Sequence, residues 1–473
     1  MIEDVENKGG IVRFVSLEIE NFGCVKKGKI SMDNDSYDKS NVLGLYGQNG
    51  SGKSTFIRAM ALLRLLLCGA HITDVQDYIT AGENWMSLKA DFNVFAGVNK
   101  KSMTYFIKIH AINPMQNNGQ KWRVSEEEIN LYDMDNLKSK TSLVFVRDDP
   151  VSLVQPAAAK KMLSSYIEKK SGITKDIAAQ LFFLRQQDKS DFYGASFIFG
   201  EDMISLYKSF AAESKNDSII DYLPVIQEYA KNFLFVITDS FWKESSRNEV
   251  LPIIFPNQKI WENEAINYFP VNLNKPTFSK EEVQGDFLGL IDRLNSFIAT
   301  VAPGTRLLAE VNRNVLEKPD GTFYDVYTVK DDKIIPIRFE SAGIKRLLSI
   351  IGILVMAYGN GSVMLCIDEM DSSIHDHVLE VFFKLFLESG KGQIFFASNN
   401  QHLMEILDKS QCWLTTTKPS DRYTRLKYVK PNNNLHSLYM TLVEKGGDEK
   451  NPDLFNPLDV EGMKKVFDEA FGK

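Results

Sequence analysis

Little in this chain can staple, export or anchor it. Only four cysteines occur among 473 residues, Cys24, Cys68, Cys366 and Cys412, far apart and without CxxC spacing. That excludes a disulfide framework or a thiolate metal cluster and leaves them as plain core residues of a reduced protein. Of six histidines, His375 and His377 flank Asp376; residues two apart on a helix point to different sides, so a two-His metal site is not expected. Long apolar runs are missing: "LLSIIGILVMAYG", 347–359, falls short of the roughly 20 residues a bilayer span needs and reads as a buried helix. The opening "MIEDVENKGG" lacks the basic-then-apolar layout of a secretory leader, so a cytoplasmic protein without membrane contact is expected. Positive charge is not in excess either. A net charge of -7 and a pI near 5.6 argue against a surface that binds nucleic acid everywhere, and "AKKMLSSYIEKK", 159–170, reads as a solvated helix face. Internal repeats, low-complexity segments and heptads sufficient for a coiled-coil arm are absent.

What is present is a change of hydrophobic period along the chain. Residues 11–33 alternate apolar and polar on both sides of Asn21-Phe22-Gly23, the pattern of a hairpin. "NVLGLY" reads as a short buried strand, and "KSTFIRAMALLRLLL" after it has helical spacing. From about Trp85 to Val146 alternation returns, predicting an antiparallel meander. The chain then turns helical to about residue 230, resumes strand character at "FLFVI", and forms an amphipathic helix near 280–302 with strands up to "IIPIRF". After Ser341 the order is helix, strand, helix, strand, helix, the last being "QHLMEIL", which predicts a parallel sheet with crossover helices.

Three motifs carry chemistry. "GQNGSGKS", 47–54, fits GxxxxGK[ST] in full between a strand and a helix. Its glycines let backbone N–H groups curl around phosphates, Lys53 reaches the β- and γ-phosphates, and the Ser54 hydroxyl ligates magnesium. "SVMLCIDEMDSS" is an apolar strand ending in Asp368-Glu369; the first acid can hold magnesium and the second can position a water for in-line attack. In "FESAGIKRLL", Ser341, Ala342 and Gly343 open a helix, and small residues there let its positive end approach a γ-phosphate.

Together with "QIFFASNN", these motifs resemble the ATP-binding-cassette type of ATPase. More closely they are similar to prokaryotic AAA-type ATPases related to the OLD (overcoming lysogenisation defect) family and to chromosome-maintenance ATPases. The most specific stretch is "ESAGIKRLLSIIGILVMAYGNGSVMLCIDEMDSSIH". The resemblance implies ATP and Mg2+ as cofactors, sandwiched between two protomers of a homodimer or larger oligomer. By position, Gly47, Asn49, Gly50, Gly52, Lys53, Ser54 and Thr55 bind the nucleotide in cis, and Phe22 falls where relatives contact the adenine, with a buried hairpin aromatic as the other reading. Ser54 and Asp368 fall at the metal, Lys53 and Glu369 at the chemistry, and Ser341 and Gly343 act in trans. Asp371 matches the loop that couples the two sites, His375 is structural, and Lys345 and Arg346 either add positive charge across the interface or are salt-bridged surface residues.

The chain departs from that family at two points. Where the family carries a histidine that senses the γ-phosphate, this chain has Asn399. Asparagine hydrogen-bonds but does not take up a proton, which predicts slow hydrolysis suited to a switch. The long interval between Ser54 and Ser341 holds a compact insertion rather than coiled coils; a magnesium-sensing glutamine there is Gln186 or Gln187, unless the two are only a helix-end polar pair. The expected fold is α/β, an ABC-ATPase-like P-loop fold with an N-terminal antiparallel β subdomain and a helical insertion. Its expected parts are an ATPase lobe at 1–150, a mainly helical insertion at 151–305, a second ATPase lobe at 306–430 and a helical tail at 431–473. The segment beyond Asn400 is short for an added nuclease domain, so an effector is expected on another polypeptide. Resemblance to the ATPases of the Septu and PARIS systems implies an anti-phage sensor or scaffold with a separate effector, a nuclease among the candidates, and a phage-encoded trigger. The alternative is a DNA-repair or chromosome-associated ATPase that binds DNA across an ATP-closed dimer.

Overall fold

The computed structural model describes residues 10–32, 38–96, 99–112, 121–135, 140–146, 154–155, 161, 163–165, 167–168, 194–213, 218–239, 241–242, 250–253, 269–281, 284–314, 320–425, 434–447, 454–457 and 459–470. The architecture is α/β, built on two sheets that share one apolar layer. The first is a seven-stranded antiparallel sheet of β1 (Ile11–Phe22), β2 (Val25–Ser31), β4 (Trp85–Ala96), β5 (Asn99–Ala111), β6 (Trp122–Asp133), β7 (Lys140–Val146) and β8 (Val154–Gln155), in the order β2-β1-β4-β5-β6-β7-β8. The second is six-stranded: β3 (Asn41–Tyr46), β9 (Leu234–Ile237), β16 (Met364–Ile367), β17 (Gln393–Ala397), β18 (Cys412–Thr415) and β19 (Tyr423–Arg425), in the order β19-β18-β3-β17-β16-β9. All its pairings are parallel except β18 with β19.

Period two sorts the second sheet's side chains. Leu43, Leu45, Met364, Cys366, Phe395 and Ala397 face one apolar cluster, shared with the antiparallel sheet and with α1 (Lys53–Cys68), α2 (Glu201–Glu213) and α3 (Ile219–Asn232). Val42, Tyr46, Leu365, Ile367, Ile394 and Phe396 face another, packed against α4 (Gln284–Val301), α5 (Ala342–Gly359), α6 (Asp376–Ser389) and α7 (Leu435–Lys445). Covered on both faces, these strands need unbroken apolar runs, which is how they read in the sequence. Of the described helices, α5 alone is long and apolar enough to cross a membrane, and here it is a core helix with Leu348, Ile350 and Ile353 buried.

Polar staples fix how the sheets meet. The buried Arg13 guanidinium donates to the carbonyls of Gly361 (2.8 Å), Lys391 (2.5 Å) and Lys39 (3.0 Å); burial lowers its pKa to about 10, leaving it charged at neutral pH. The Gln393 amide accepts from Phe14 N and donates to Phe14 O, bridging β17 to β1 like an extra strand. Inside the meander, a bulge between Lys108 and Ile109 of β5 against β6 shifts the phase of β6. Trp122 and Val124 point inward before it, and Glu127, Ile129 and Leu131 after it. Fully buried Glu127 thereby accepts four hydrogen bonds, from Tyr105 OH, Ser196 Oγ, Phe197 N and Ile198 N.

Between β9 and α5 lie β10 (Val250–Ile253), paired with β11 (Phe269–Asn272), and a small sheet of β12 (Thr277–Lys280), β13 (Thr305–Val311), β14 (Gly321–Lys330) and β15 (Lys333–Pro336). Among the described residues, the stretch 151–305 thus combines α2, α3 and α4 with five short strands, β8 to β12, and reaches the start of β13; β9 completes the edge of the parallel sheet. One expected element differs: "QHLMEIL" is not an α-helix but a 3-10 turn at Gln401–Glu405, capped by Asn400. The last described helix is α8 (Val460–Ala470), whose Val460, Met463, Val466 and Phe467 are exposed. Cys366 and Cys412 are buried as expected, but Cys24 is exposed, with its thiol against Thr55 Oγ1 at 3.4 Å.

Candidate nucleotide-binding site

The loop 47–54 follows β3 at its C-terminal end and opens α1. Gly50 (φ 74°) and Gly52 (φ 107°) are left-handed, a conformation that L side chains resist. Gly47 is required by proximity instead: a Cβ there would lie 1.7 Å from Thr415 Oγ1. Lys53 Nζ donates to Gly47 O (2.5 Å) and Gln48 O (3.2 Å), and its pKa is lowered by burial, against the opposing charges of Asp368, Asp371 and Glu369. Asn49 and Gly50 are exposed at the loop's tip.

One strand, β17, separates the loop strand β3 from β16. At the end of β16, Asp368 is only 3% exposed and hydrogen-bonds Ser54. Burial raises its pKa, while Ser54 and the Arg58 charge oppose that rise. Glu369 next to it is exposed and sits at φ 51°, and Ser373 follows at φ 68°. Non-glycine residues in this region store strain of about 1–3 kcal/mol and cluster at functional sites. Among the described residues no group of three or more His, Cys, Asp or Glu is arranged to hold a metal by itself. Buried Asp368 on Ser54, with the buried Asp371 Oδ1 lacking a hydrogen-bond partner, fits a cation shared with substrate phosphates.

The start of α5 meets this loop within the same chain. Ser341 caps α5, its Oγ accepting from Ile344 N at 3.2 Å, and Ser341 and Ala342 are exposed. Gly343 is pressed against Ser373 O, which a Cβ would approach to 2.2 Å. Arg346 does not reach outward as an interface charge or a salt-bridged surface residue. Its guanidinium donates to Asp368 O (3.1 Å) and Glu369 O (2.6 Å) and stacks over Trp242 at 4.6 Å. A residue three positions along α5 from Gly343 turns in toward β16, which satisfies carbonyls that strained backbone would otherwise leave open. Lys345 Nζ bonds its own chain at Arg338 O.

Three further expectations are placed by the structure. Asn399 is exposed at the end of β17, between the two chemistry-bearing strands, while Asn400 hydrogen-bonds Asp376. Phe22 is 1% exposed and stacked on Tyr78 at 5.3 Å, the hairpin-aromatic alternative rather than an open face for adenine. His375 caps α6, its Nδ1 accepting from His377 N. Gln186 and Gln187 lie outside the described residues.

Several site residues were not singled out by the sequence motifs. Asp239 follows β9 and acts electrostatically on Asp368 and Arg346; its signal was there, since "LFVITD" is, like "MLCIDE", an apolar strand ending in an acid. The loop's support comes from far along the chain. Thr415 Oγ1 meets Ser51 Oγ, Tyr423 OH donates to Gly52 O (3.0 Å), and Arg422 donates to Cys24 O (2.8 Å).

A family model described as AAA ATPase domain matches residues 14–403. Among solved structures, the chain is similar to an Smc head domain with an extended coiled coil bound to the C-terminal domain of ScpA, from Pyrococcus furiosus. Identity is 14%, covering 91% of this chain and 99% of that one, with a TM-score of 0.38. It is similar also to the recombination mediator protein RecF with ATP (13% identity, 88% and 100% covered, TM-score 0.33) and to an SMC head domain from Thermotoga maritima (12%, 88% and 99%, 0.31). No curated protein matches.

Proposed function

The chain belongs to the AAA ATPase domain family, and from that premise we propose that it binds ATP with Mg2+ at the loop 47–55 and hydrolyses it slowly. ATP closes an interface between copies of the chain, and hydrolysis reopens it. The observation that carries this reading is the junction at Gly343. There the helix start that carries the exposed Ser341 cap packs at Gly343 against Ser373, in the strained loop that bears Glu369, so a partner's contact at the cap and the chemistry at the acid would lie on two directly packed elements.

Each residue has a role in that reading. Lys53 exchanges its loop carbonyls for phosphate oxygens. Ser54 and Asp368 would hold the magnesium ion, which when bound neutralises charge on the transferring phosphate. Glu369 takes the proton of the attacking water, Arg346 holds the backbone of both acids from behind, and Asn399 can only hydrogen-bond, which supports a slow cycle. Expected for Glu369→Gln is an ATP-dependent oligomer that persists in light scattering while wild type returns to the smaller species; a mass indifferent to ATP in both would sink the reading.

For the use of this switch, the resemblance to the Septu and PARIS ATPases supports control of a separate effector, such as a nuclease, answering a phage-encoded trigger. The other reading, DNA held across the closed dimer, rests on resemblance to chromosome-maintenance ATPases. The two separate on one measurement: hydrolysis stimulated by DNA in a salt-dependent way favours DNA, whereas DNA-indifferent hydrolysis with a co-purifying partner favours the effector.

A further inference from the structure

Near its C-terminus the chain returns to the phosphate loop and grips it. Gln48, the second residue of the loop, donates from Nε2 to Asn456 O (2.5 Å) and accepts at Oε1 from Asn456 N (3.0 Å), across 408 positions of sequence. The pairing is a two-point amide contact that uses only the main chain of Asn456. Pro457 follows, and a residue before proline is confined to extended backbone, which presents N–H and C=O ready for such a partner. The segment is anchored just before the contact. Thr417 N donates to Leu454 O (2.9 Å), Phe455 N donates to Gly446 O (2.9 Å), and Phe455, 3% exposed, packs edge-on against Tyr439. Gln48 is also where the loop's inner bonds converge, its carbonyl accepting from Ser51 N, Ser51 Oγ and Lys53 Nζ.

We propose that residues 454–457 form a strap that positions the phosphate loop, with the Asn456 main chain holding Gln48 and so the curve of the loop, and that ATP and the strap stabilise each other. This rests on the reading that the loop binds ATP. The coupling is reciprocal by linkage: whatever factor the strap adds to ATP affinity, ATP adds to strap closure.

The test uses the full chain and exploits the main-chain nature of the grip. Asn456→Ala keeps both hydrogen bonds and should bind a fluorescent ATP analogue with wild-type affinity. Asn456→Pro removes the N–H donor and should weaken binding about fivefold or more, toward the low end of ordinary allosteric coupling. Gln48→Ala should cost a similar factor, and combining it with Asn456→Pro should add nothing, because both cut one contact. Hydrogen exchange reads the other direction: ATP should slow the Phe455 and Asn456 amides in wild type but not in Gln48→Ala. Equal affinity in the Ala and Pro variants, additive losses, tighter binding on cutting the strap, or exchange at 455–456 blind to ATP would each overturn the proposal. Thermal midpoints within a few degrees of wild type show that the variants are folded. A wild type that binds no ATP fails the parent reading instead, and Lys53→Ala gives the baseline for that case.

Discussion

The antiparallel meander and the loop after β16 treat a carboxylate in opposite ways. In the meander, Glu127 is fully buried, and four donors meet its two oxygens. After β16, Glu369 is exposed and its backbone lies at φ 51°, its carbonyl accepting from Arg346 and from Ser372 N. One acid has its partners inside the protein; the other faces solvent, where the proposed reading has it meet a substrate. Burial with partners and exposure with strain thus support the proposed division of the two acids into scaffold and chemistry, since a residue kept in a costly conformation needs a reason outside stability.

The contrast breaks most visibly at Glu369. Glu369→Gln should lower the rate of ATP hydrolysis by about 10²–10⁴-fold, the usual share of a general base, with the melting temperature unmoved; a rate within threefold of wild type would put the base elsewhere. Next in size, Glu127→Leu strands two backbone donors and should cost about 3–5 kcal/mol, as removal of one partner from a buried polar cluster does. Glu127→Gln should be far milder, because its carbonyl oxygen serves Phe197 N and Ile198 N while the hydroxyls of Tyr105 and Ser196 turn to accept from its NH2. Chemical denaturation of the two variants side by side measures the gap.

A pH dependence arises from the same buried acid. Burial raises the pKa of Glu127 above its ordinary 4.5, so the folded state binds its proton more tightly than the unfolded state does. Its contribution is greatest below about 4.5 and is lost as pH rises through the folded value. Relative to Glu127→Gln, wild type should therefore lose stability as pH climbs from about 4.5 upward, read as a shrinking difference in melting temperature.

Arg346→Met removes two hydrogen bonds to the carbonyls of Asp368 and Glu369 and should lower kcat about tenfold, near 1.4 kcal/mol, while the KM for ATP stays close to wild type. A larger change in KM than in kcat would place Arg346 on the nucleotide instead. The smallest effect runs the other way. Glu369→Gly relieves the left-handed strain, offset by glycine's greater freedom when unfolded, and should raise stability by about 0.5 kcal/mol while abolishing hydrolysis. A loss of stability would mean that the conformation at Glu369 is not strained.

The phosphate loop, the acidic strand and the parallel sheet were legible because they are local. A loop that must wrap phosphate needs glycines at fixed spacing, and strands covered on both faces need unbroken apolar runs, so "GQNGSGKS" and "MLCIDE" carry their meaning within a few residues. The hairpin and meander were legible for the same reason, by period two. The features that stayed hidden depend on phase and on distance. Of the three adjacent glutamates in "SEEEIN", only the bulge on β6 selects Glu127 for the core. Arg346 reads as an outward charge until the helix is set against β16. Tyr423 at Gly52 and Asn456 at Gln48 are joined to the loop across more than 370 positions. Local pattern determined the elements and their chemistry. Packing decided which polar groups left water, and a polar group that leaves water must find its partner wherever the fold supplies one.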